Sequence, residues 1–521
     1  MDSRHDHLYI GGAWVRPSTE RRLAPVDPST ELSLGSVPEA VEADVDAAVG
    51  AARAAFDSPG GWASWEPSRR GEVMERFAAE LDARARDIAA LVSAQNGMPV
   101  NIARQLEVGY PGAVLRYYAG LARETGFSEV RAGLLGGSVE VRRLPVGVVA
   151  AIVPWNYPQV LSMFKIAPAM AAGCTVVLKP SPETVLDSYL VAEAAQAAGV
   201  PAGVLNIVPG GRAAGAHLVA HPGVDKVAFT GSTAAGRAIG ETCGRLLRPV
   251  TLELGGKSAG IVLDDAELDP AVIGQDLVAA TLTNNGQTCF LSTRILAPRG
   301  RYAEVVDLVT DLARSLPVGN ALDEQTLVGP LVSAAQRERV EGHVAKGLAE
   351  GARLTTGGRR PADLDRGWFL EPTVLADVDN SWTVAREEIF GPVLCVIPYE
   401  DSKDAADAVR IANDSDFGLG GTVWTADPER GAAVARRVHT STIGVNGYLP
   451  DPVAPFGGTK ASGLGSELGP EGLAAYLRFQ SVYQSSPADG REPAGSGAEP
   501  RDAGAAHQHT PMTATTTTLT A

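Results

Sequence analysis

Val227-Ala228-Phe229-Thr230-Gly231-Ser232-Thr233-Ala234-Ala235-Gly236 runs from β-rich residues through a small-residue turn into an Ala-rich helical stretch, and Val250-Thr251-Leu252 returns to β-rich residues. Strand, turn, helix over 233–246 and second strand make one parallel crossover unit. The same rhythm runs upstream. Residues 146–153, 175–178 and 204–208 read as short strands, with helical stretches at 159–172 and 183–198 between them. After residue 257 the alternation starts afresh. A strand at 260–263, a helix through 267–283 and a strand near 293–297 come first. Helices at 301–315, 333–350 and 402–413 follow, with strands near 393–399, 421–425 and 442–446. Two such series predict two α/β domains, each a parallel sheet with helices on both faces. Their seam is where a ligand is expected.

The flanks read differently. Leu8-Tyr9-Ile10-Gly11-Gly12-Ala13-Trp14-Val15 predicts two short strands around a Gly-Gly turn. From Ser68 to Asn96, Val73, Phe77, Leu81, Ile88 and Leu91 fall on one helical face, and Gly97 fits a C-terminal cap. Residues 127–144, with alternating Ser138-Val139-Glu140-Val141-Arg142, read as inserted strands. Residues 485–521 carry no aromatic residue, are rich in Pro, Gly, Ala and Thr, and are expected to be disordered.

The chain has 521 residues, 45% hydrophobic and 20% charged, enough for two or three domains with sizeable cores. A formal charge of −16 argues against nucleic acid as a partner. Arg69-Arg70, Arg142-Arg143 and Arg359-Arg360 are short pairs that read as solvated surface. Cys174, Cys243, Cys289 and Cys395 lie far apart, without metal or disulfide spacing, so no metal is expected and a reducing compartment is. No apolar run reaches spanning length, and the start of the chain lacks the basic-then-apolar order of a signal peptide, so the expected location is the cytoplasm, off the membrane.

Two segments suggest chemistry. Cys289 closes the run Asn284-Asn285-Gly286-Gln287-Thr288-Cys289, thirty-six positions after Glu253-Leu254-Gly255-Gly256-Lys257. A lone thiol and a lone carboxylate in Gly-bracketed turns suit a nucleophile and its base. The turn at Gly231–Gly236 follows a strand and opens a helix, where backbone N–H groups suit phosphate oxygens. It is not the GxGxxG fingerprint. Taken singly, each feature has a blander reading: a buried free Cys, a Glu ending a strand, a Gly turn as punctuation, a surface Lys at 179.

Taken together they identify a resemblance. Pro154-Trp155-Asn156, Lys179-Pro180-Ser181, Phe229-Thr230-Gly231-Ser232-Thr233 with Gly236, and Glu253-Leu254-Gly255-Gly256-Lys257 come first. Gly286-Gln287-Thr288-Cys289, Glu387-Glu388-Ile389-Phe390-Gly391-Pro392, and Phe456-Gly457-Gly458-Thr459-Lys460 through Gly463, Gly465 and Glu467 complete the series. In this order, from about residue 8 to residue 483, they resemble the NAD(P)-dependent aldehyde dehydrogenase superfamily.

The resemblance implies two Rossmann-like doubly wound domains and a small β oligomerisation arm. The dinucleotide-binding domain would take 1–126 and 145–256, the catalytic domain 257–472, and the arm 127–144 with 473–484. It implies Cys289 as nucleophile on an aldehyde, Asn156 and the Cys289 backbone N–H as oxyanion donors, and Glu253 as the base that activates water. Lys165 and Glu467 would relay protons or orient Glu253. Cofactor contacts would come from Pro154, Trp155, Lys179, Ser181, Gly231, Ser232, Gly236, Leu254, Glu388 and Phe390. Glu388 is preferred over Glu387 because it stands two residues before Phe390. NAD is the expected cofactor. Pro182 occupies the place where many NAD-preferring members carry an acid, with Glu183 one later, which leaves NADP open. Tyr157, Met163, Phe290 and Tyr448 would line the way to the nucleophile and favour an apolar aldehyde, and a homodimer or homotetramer follows from the family. The presence of Glu253 favours hydrolysis over transfer to coenzyme A. The alternatives are an acylating semialdehyde dehydrogenase and a non-catalytic relative.

Overall fold

The computed structural model describes residues 3–485, so the expected disordered tail falls, but for its first residue, outside the described residues. Two large sheets dominate. One has eight strands, ordered Gly463–Leu464, Val250–Glu253, Lys226–Thr230, Val148–Ile152, Thr175–Lys179, Leu205–Ile207, Leu8–Ile10, Ala13–Val15. Its five central strands are parallel and its edges antiparallel. The other has seven, ordered Arg353–Thr356, Thr373–Ala376, Val393–Tyr399, Arg294–Pro298, Ala259–Val262, Gly421–Trp424, Gly444–Val445. It is parallel except at Arg353–Thr356.

These strands form where the sequence predicts because they are covered on both faces. Val148–Ile152 and Thr175–Lys179 are buried at every residue, which favours continuous apolar runs over alternation. One face packs on a core containing Phe77, Tyr118, Met163 and Phe164, the other on Val45, Val49, Leu218 and Val227. The helix Pro158–Ala172 is buried at all of its residues and carries Phe164 and Lys165 through the centre of the first core. The second sheet is likewise covered on both faces.

Several expectations shift. The helical face from Ser68 to Asn96 is two helices, Pro67–Ala83 and Ala85–Asn96, broken at Arg84, whose guanidinium bonds the Glu80 carbonyl and carboxylate. Gly97 caps the second at φ 81°, as its position predicts. The helix expected from 402 starts at Ala406, because Ser402 and Asp404 side chains take the Ala406 N–H and hold a turn instead. Cys174 sits in a turn before a strand, while Cys243 lies in a helix and Cys395 in a strand; all three are buried. Gly463–Leu464 joins the first sheet as an antiparallel neighbour of Val250–Glu253, placing Gly463 beside Glu253.

A small second unit comprises Ser128–Val141 and, among the described residues, Ser481 to Ser485. Strands Ser128–Ala132 and Ser138–Pro145 form a hairpin, with Leu477–Gln484 as third strand in the order Leu477–Gln484, Ser138–Pro145, Ser128–Ala132. Its tip exposes Leu134 and Leu135 completely.

Candidate active site

The carboxyl ends of four strands in the first sheet, finishing at Ile152, Lys179, Thr230 and Glu253, lead into the site residues. In the second sheet the relation is reversed. The segments 254–258, 283–293, 387–392 and 419–420 lead into the amino ends of its central strands. These segments meet closely. A Cβ on Gly256 would lie 2.3 Å from the Cys289 carbonyl oxygen, one on Gly286 2.1 Å from that of Gly391, and one on Gly420 3.0 Å from Phe290. Glycine at these positions lets the backbones touch.

Asn284, Asn285 and Gly286 occupy three successive left-handed conformations, with φ of 54°, 60° and 73°. Asn and Gly tolerate that region best. Side chains offset the strain. Asn285 Nδ2 donates to the Gly97 and Pro330 carbonyls, and its Oδ1 accepts from the Gly329 N–H. Gln287 Oε1 accepts from the Val332 N–H. Asn284 Nδ2 donates to the Asn156 carbonyl at 3.0 Å, and Asn156 Nδ2 donates back to the Gln287 carbonyl at 3.0 Å. Asn156 is thereby locked to the turn that carries Cys289. Tyr157 Oη and Thr288 Oγ1 share a hydrogen bond of 2.8 Å.

Cys289 is the one thiol of the four that is partly exposed. Burial pushes its pKa up, and the charges of Glu388 and then Glu253 push it further. A thiol held up in this way keeps its proton until attack draws it off. Glu253 lies at the carboxyl end of its strand with both oxygens buried and without a protein partner. Burial first, then the nearby Glu467 charge, holds its pKa well above the usual carboxylate range, with Lys165 opposing. Lys165 Nζ donates to Glu467 Oε1 and to Thr230 Oγ1, each at 2.7 Å, in a fully buried ion pair. A Cβ on Gly457 would stand 3.2 Å from Glu253 Oε1, so glycine there leaves this carboxylate its room.

The residues expected at a dinucleotide lie at or just past the carboxyl ends of the first sheet's strands and in the segment 387–392. Lys179 ends its strand buried, not at the surface. Its ammonium donates to the Pro180 carbonyl, and burial lowers its pKa to about 8. Ser181 is also buried and donates to Glu183. Ser232 caps the helix Thr233–Arg245 by accepting from the Ala235 N–H. Added Cβ atoms would meet the Phe229 ring at 2.5 Å from Gly231 and the Leu254 side chain at 2.4 Å from Gly236. Glu388 Oε1 accepts from the Gly256 N–H at 2.9 Å, whereas Glu387 is exposed. Phe390 meets Trp155, next to the half-buried Pro154, edge to face at 5.3 Å. A bare strand-to-helix turn, a buried ammonium with donor capacity to spare and a paired carboxylate opposite fit a dinucleotide's phosphates and ribose hydroxyls.

Next to Cys289 the packing is aromatic. Phe290 packs on Tyr448 at 5.1 Å and on Phe456 at 6.3 Å. Tyr157 and Met163 are both buried in the adjoining core. Four residues here were given no role by the sequence reading. Glu107, fully buried, accepts the Gln159 N–H at 2.7 Å, at the start of the helix that follows Asn156. Lys257 is buried with its ammonium unpartnered by protein. Asn284 and Asn285 fix the nucleophile turn, and the Asn-Asn-Gly run was the available signal for that conformation. Nothing local distinguishes Glu107 from a surface acid.

The family profile described as the Aldehyde dehydrogenase family matches residues 14–482. The chain is 55% identical to geranial dehydrogenase of Castellaniella defragrans, over 93% of this chain and 99% of that one. A Mycobacterium tuberculosis aldehyde dehydrogenase complexed with NAD+ superposes with a TM-score of 0.90 at 47% identity, covering 93% of this chain and 99% of that one. A mutant of aldehyde dehydrogenase C from Pseudomonas syringae, complexed with NAD+ and octanal, superposes with a TM-score of 0.88 at 38% identity, covering 94% of this chain and all of that one. With these matches spanning both sheets and every segment of the site, the chain belongs to the aldehyde dehydrogenase family.

Proposed function

We propose that the protein oxidises an apolar aldehyde to its carboxylic acid with NAD, through a thiohemiacetal and a thioester on Cys289. The observation that carries this reading is the buried, unpartnered Glu253 beside a thiol whose proton is held tightly. The Cys289 sulfur bonds the aldehyde carbon while its proton passes to water. The Asn156 amide, fixed against the Gln287 carbonyl, and the Cys289 N–H receive the developing oxyanion. NAD, when bound, accepts the hydride that leaves that carbon. Glu253 then takes a proton from water attacking the thioester, and Lys165 with Glu467 orients it and passes the proton on. This order favours a free acid over transfer to coenzyme A. Intact Cys289, Glu253 and Asn156 weigh against a non-catalytic relative.

Pro154, Trp155, Lys179, Ser181, Gly231, Ser232, Gly236, Leu254, Glu388 and Phe390 would hold the dinucleotide. Glu183, engaged by Ser181 near Lys179, supplies a negative charge that disfavours a 2′-phosphate and supports NAD over NADP. The aromatic lining and the geranial and octanal named for the relatives support a hydrocarbon-like aldehyde. The domain partition at 1–126 with 145–256, 257–472, and 127–144 with 473–484 belongs to the same reading. In it the arm, with its exposed Leu134 and Leu135, pairs copies into a dimer or tetramer. A cytoplasmic setting accords with four free thiols and with no helix among the described residues long and apolar enough to cross a membrane. The test is absorbance at the NADH band with aliphatic, aromatic and amino-aldehydes, using NAD and NADP in turn. Cys289→Ala is expected to lose at least about a thousandfold in turnover. Turnover surviving that change removes the nucleophile assignment.

A further inference from the structure

Five aromatic rings form a chain beside Cys289 that closes on itself. Tyr110 contacts Phe164 at 5.9 Å, Phe164 contacts Phe456 at 6.4 Å, and Phe456 contacts Phe290 at 6.3 Å. Phe290 contacts Tyr448 at 5.1 Å. The last link is polar. Tyr110 Oη donates to the Pro450 carbonyl at 2.7 Å, two residues beyond Tyr448. Pro450 belongs to the loop between Asn446 and Phe456. Its ends are fixed where the Asn446 side chain pairs with the Thr425 backbone and where Phe456 pairs with Glu467. Between those ends the loop exposes Leu449 and Val453, and beyond Pro450 it is tied by the Pro452 carbonyl to the Gly469 N–H.

Tyr110 faces this loop because of an irregular element. Residues Ala103–Gly109 form a π-helical turn directly before it, and Glu107 within that turn anchors it to the helix carrying Phe164. A π-turn costs backbone geometry and is commonly kept where it aims a side chain at a functional site. Here it delivers a hydroxyl to a carbonyl of the loop that holds the fifth ring.

We propose that Tyr110 is a specificity-determining residue: its hydroxyl clasps the 446–456 loop so that the five rings make one closed wall gripping the hydrocarbon part of the aldehyde. This rests on the apolar-aldehyde reading above and names the residue that sets how far the grip extends. Without the clasp, the loop beyond Tyr448 is released and Tyr448, left with its hydroxyl's bond to Thr442 at 2.6 Å, shifts from Phe290 and opens the outer wall, while the surroundings of Cys289 itself stay as they are.

Two measurements on Tyr110→Phe test this. The first is the rate at which Cys289 is alkylated by N-phenylmaleimide and by iodoacetamide, with Cys289→Ala as the background. Loss of one hydrogen bond is worth roughly fivefold. The bulky aromatic reagent is expected to react about fivefold faster in the variant, and the small one at an unchanged rate. The second is kcat/KM for propanal and octanal, where octanal is expected to lose about fivefold relative to propanal. Equal changes for both reagents, or none, overturn the clasp, and an unchanged octanal-to-propanal ratio overturns the specificity role. A wild-type enzyme with no preference for octanal over propanal would instead sink the apolar-substrate reading, while the alkylation rates would still judge the clasp.

Discussion

The two sheets share an architecture and differ in what their strand ends do. At the carboxyl ends of the first sheet stand Lys179, with spare donors, and Glu253, whose oxygens find no protein partner. At the carboxyl ends of the second the polar groups are closed on one another. Tyr399 Oη donates to the Val262 carbonyl, Thr425 Oγ1 to Asp265, and Asn446 pairs with the Thr425 backbone. The second sheet contributes to the site through its amino ends instead, where Arg294 spends its guanidinium on the Lys257, Ile411 and Ala412 carbonyls and on Asn380. The rule that ligands gather at the carboxyl ends of parallel strands therefore holds for one sheet and fails for the other. In the first sheet the functional end carries buried polar capacity left unused, at Lys179 and Glu253.

Substitutions can break this contrast, beginning with the open end. Glu253→Gln is expected to lower kcat roughly 100- to 10,000-fold while a stoichiometric burst of NADH survives in rapid mixing, because only hydrolysis needs the base. A variant that also loses the burst would make Glu253 the base for thiol attack as well. In the wild type, kcat should fall as pH drops through an ionisation lying above the ordinary glutamate range, since the base form exists only above the raised pKa. Stability carries the opposite sign. The unfolded chain ionises Glu253 in the ordinary range while the folded chain keeps the proton, so folding weakens as pH rises between the two. Denaturant titration should therefore find Glu253→Gln stabilised relative to wild type at neutral pH and not in acid.

Asn156→Ala is expected to cost about 100- to 1000-fold in kcat, burst included, through loss of an oxyanion donor. An unaltered burst would show that the amide serves only to hold the Gln287 carbonyl. Lys165→Met leaves Glu467 buried without its cation and should cost about 3–5 kcal/mol in urea unfolding. If Lys165→Met with Glu467→Leu fails to recover most of that loss, the pair is not the cause. The closed end supplies the control. Tyr399→Phe should cost about 1 kcal/mol and leave kcat unchanged. A fall in its turnover would erase the distinction between the two sheets.

Much of this was legible in the chain. Strand runs such as 175–178 and the helix after Gly231 were readable because a doubly covered parallel sheet demands continuous apolar strands, and Gly at 231 and 236 marks a close turn. Cys289, Glu253, Asn156, Lys165 and Glu467 were readable as an ordered set, and the structure locks Asn156 to the turn that carries Cys289, sets the Glu253 charge near enough to act on that thiol, and joins Lys165 to Glu467. Other features were not legible. The break at Arg84 carries no Gly or Pro. Glu107 is held inside the fold only because Gln159, fifty-two positions away, presents it an N–H.

Which residue types stand where the chain must turn, cross and react is set locally, because periodicity, Gly placement and the chemistry of a thiol or carboxylate are properties of short stretches. The tertiary structure decided their ionisation. Burial raised both Cys289 and Glu253, lowered Lys179 to about 8 and left Glu253 without a partner. It also decided that Tyr110 reaches Pro450 across 340 positions of chain. Desolvation and long-range hydrogen bonds depend on what the rest of the fold packs around a group, and no stretch of neighbouring residues encodes that.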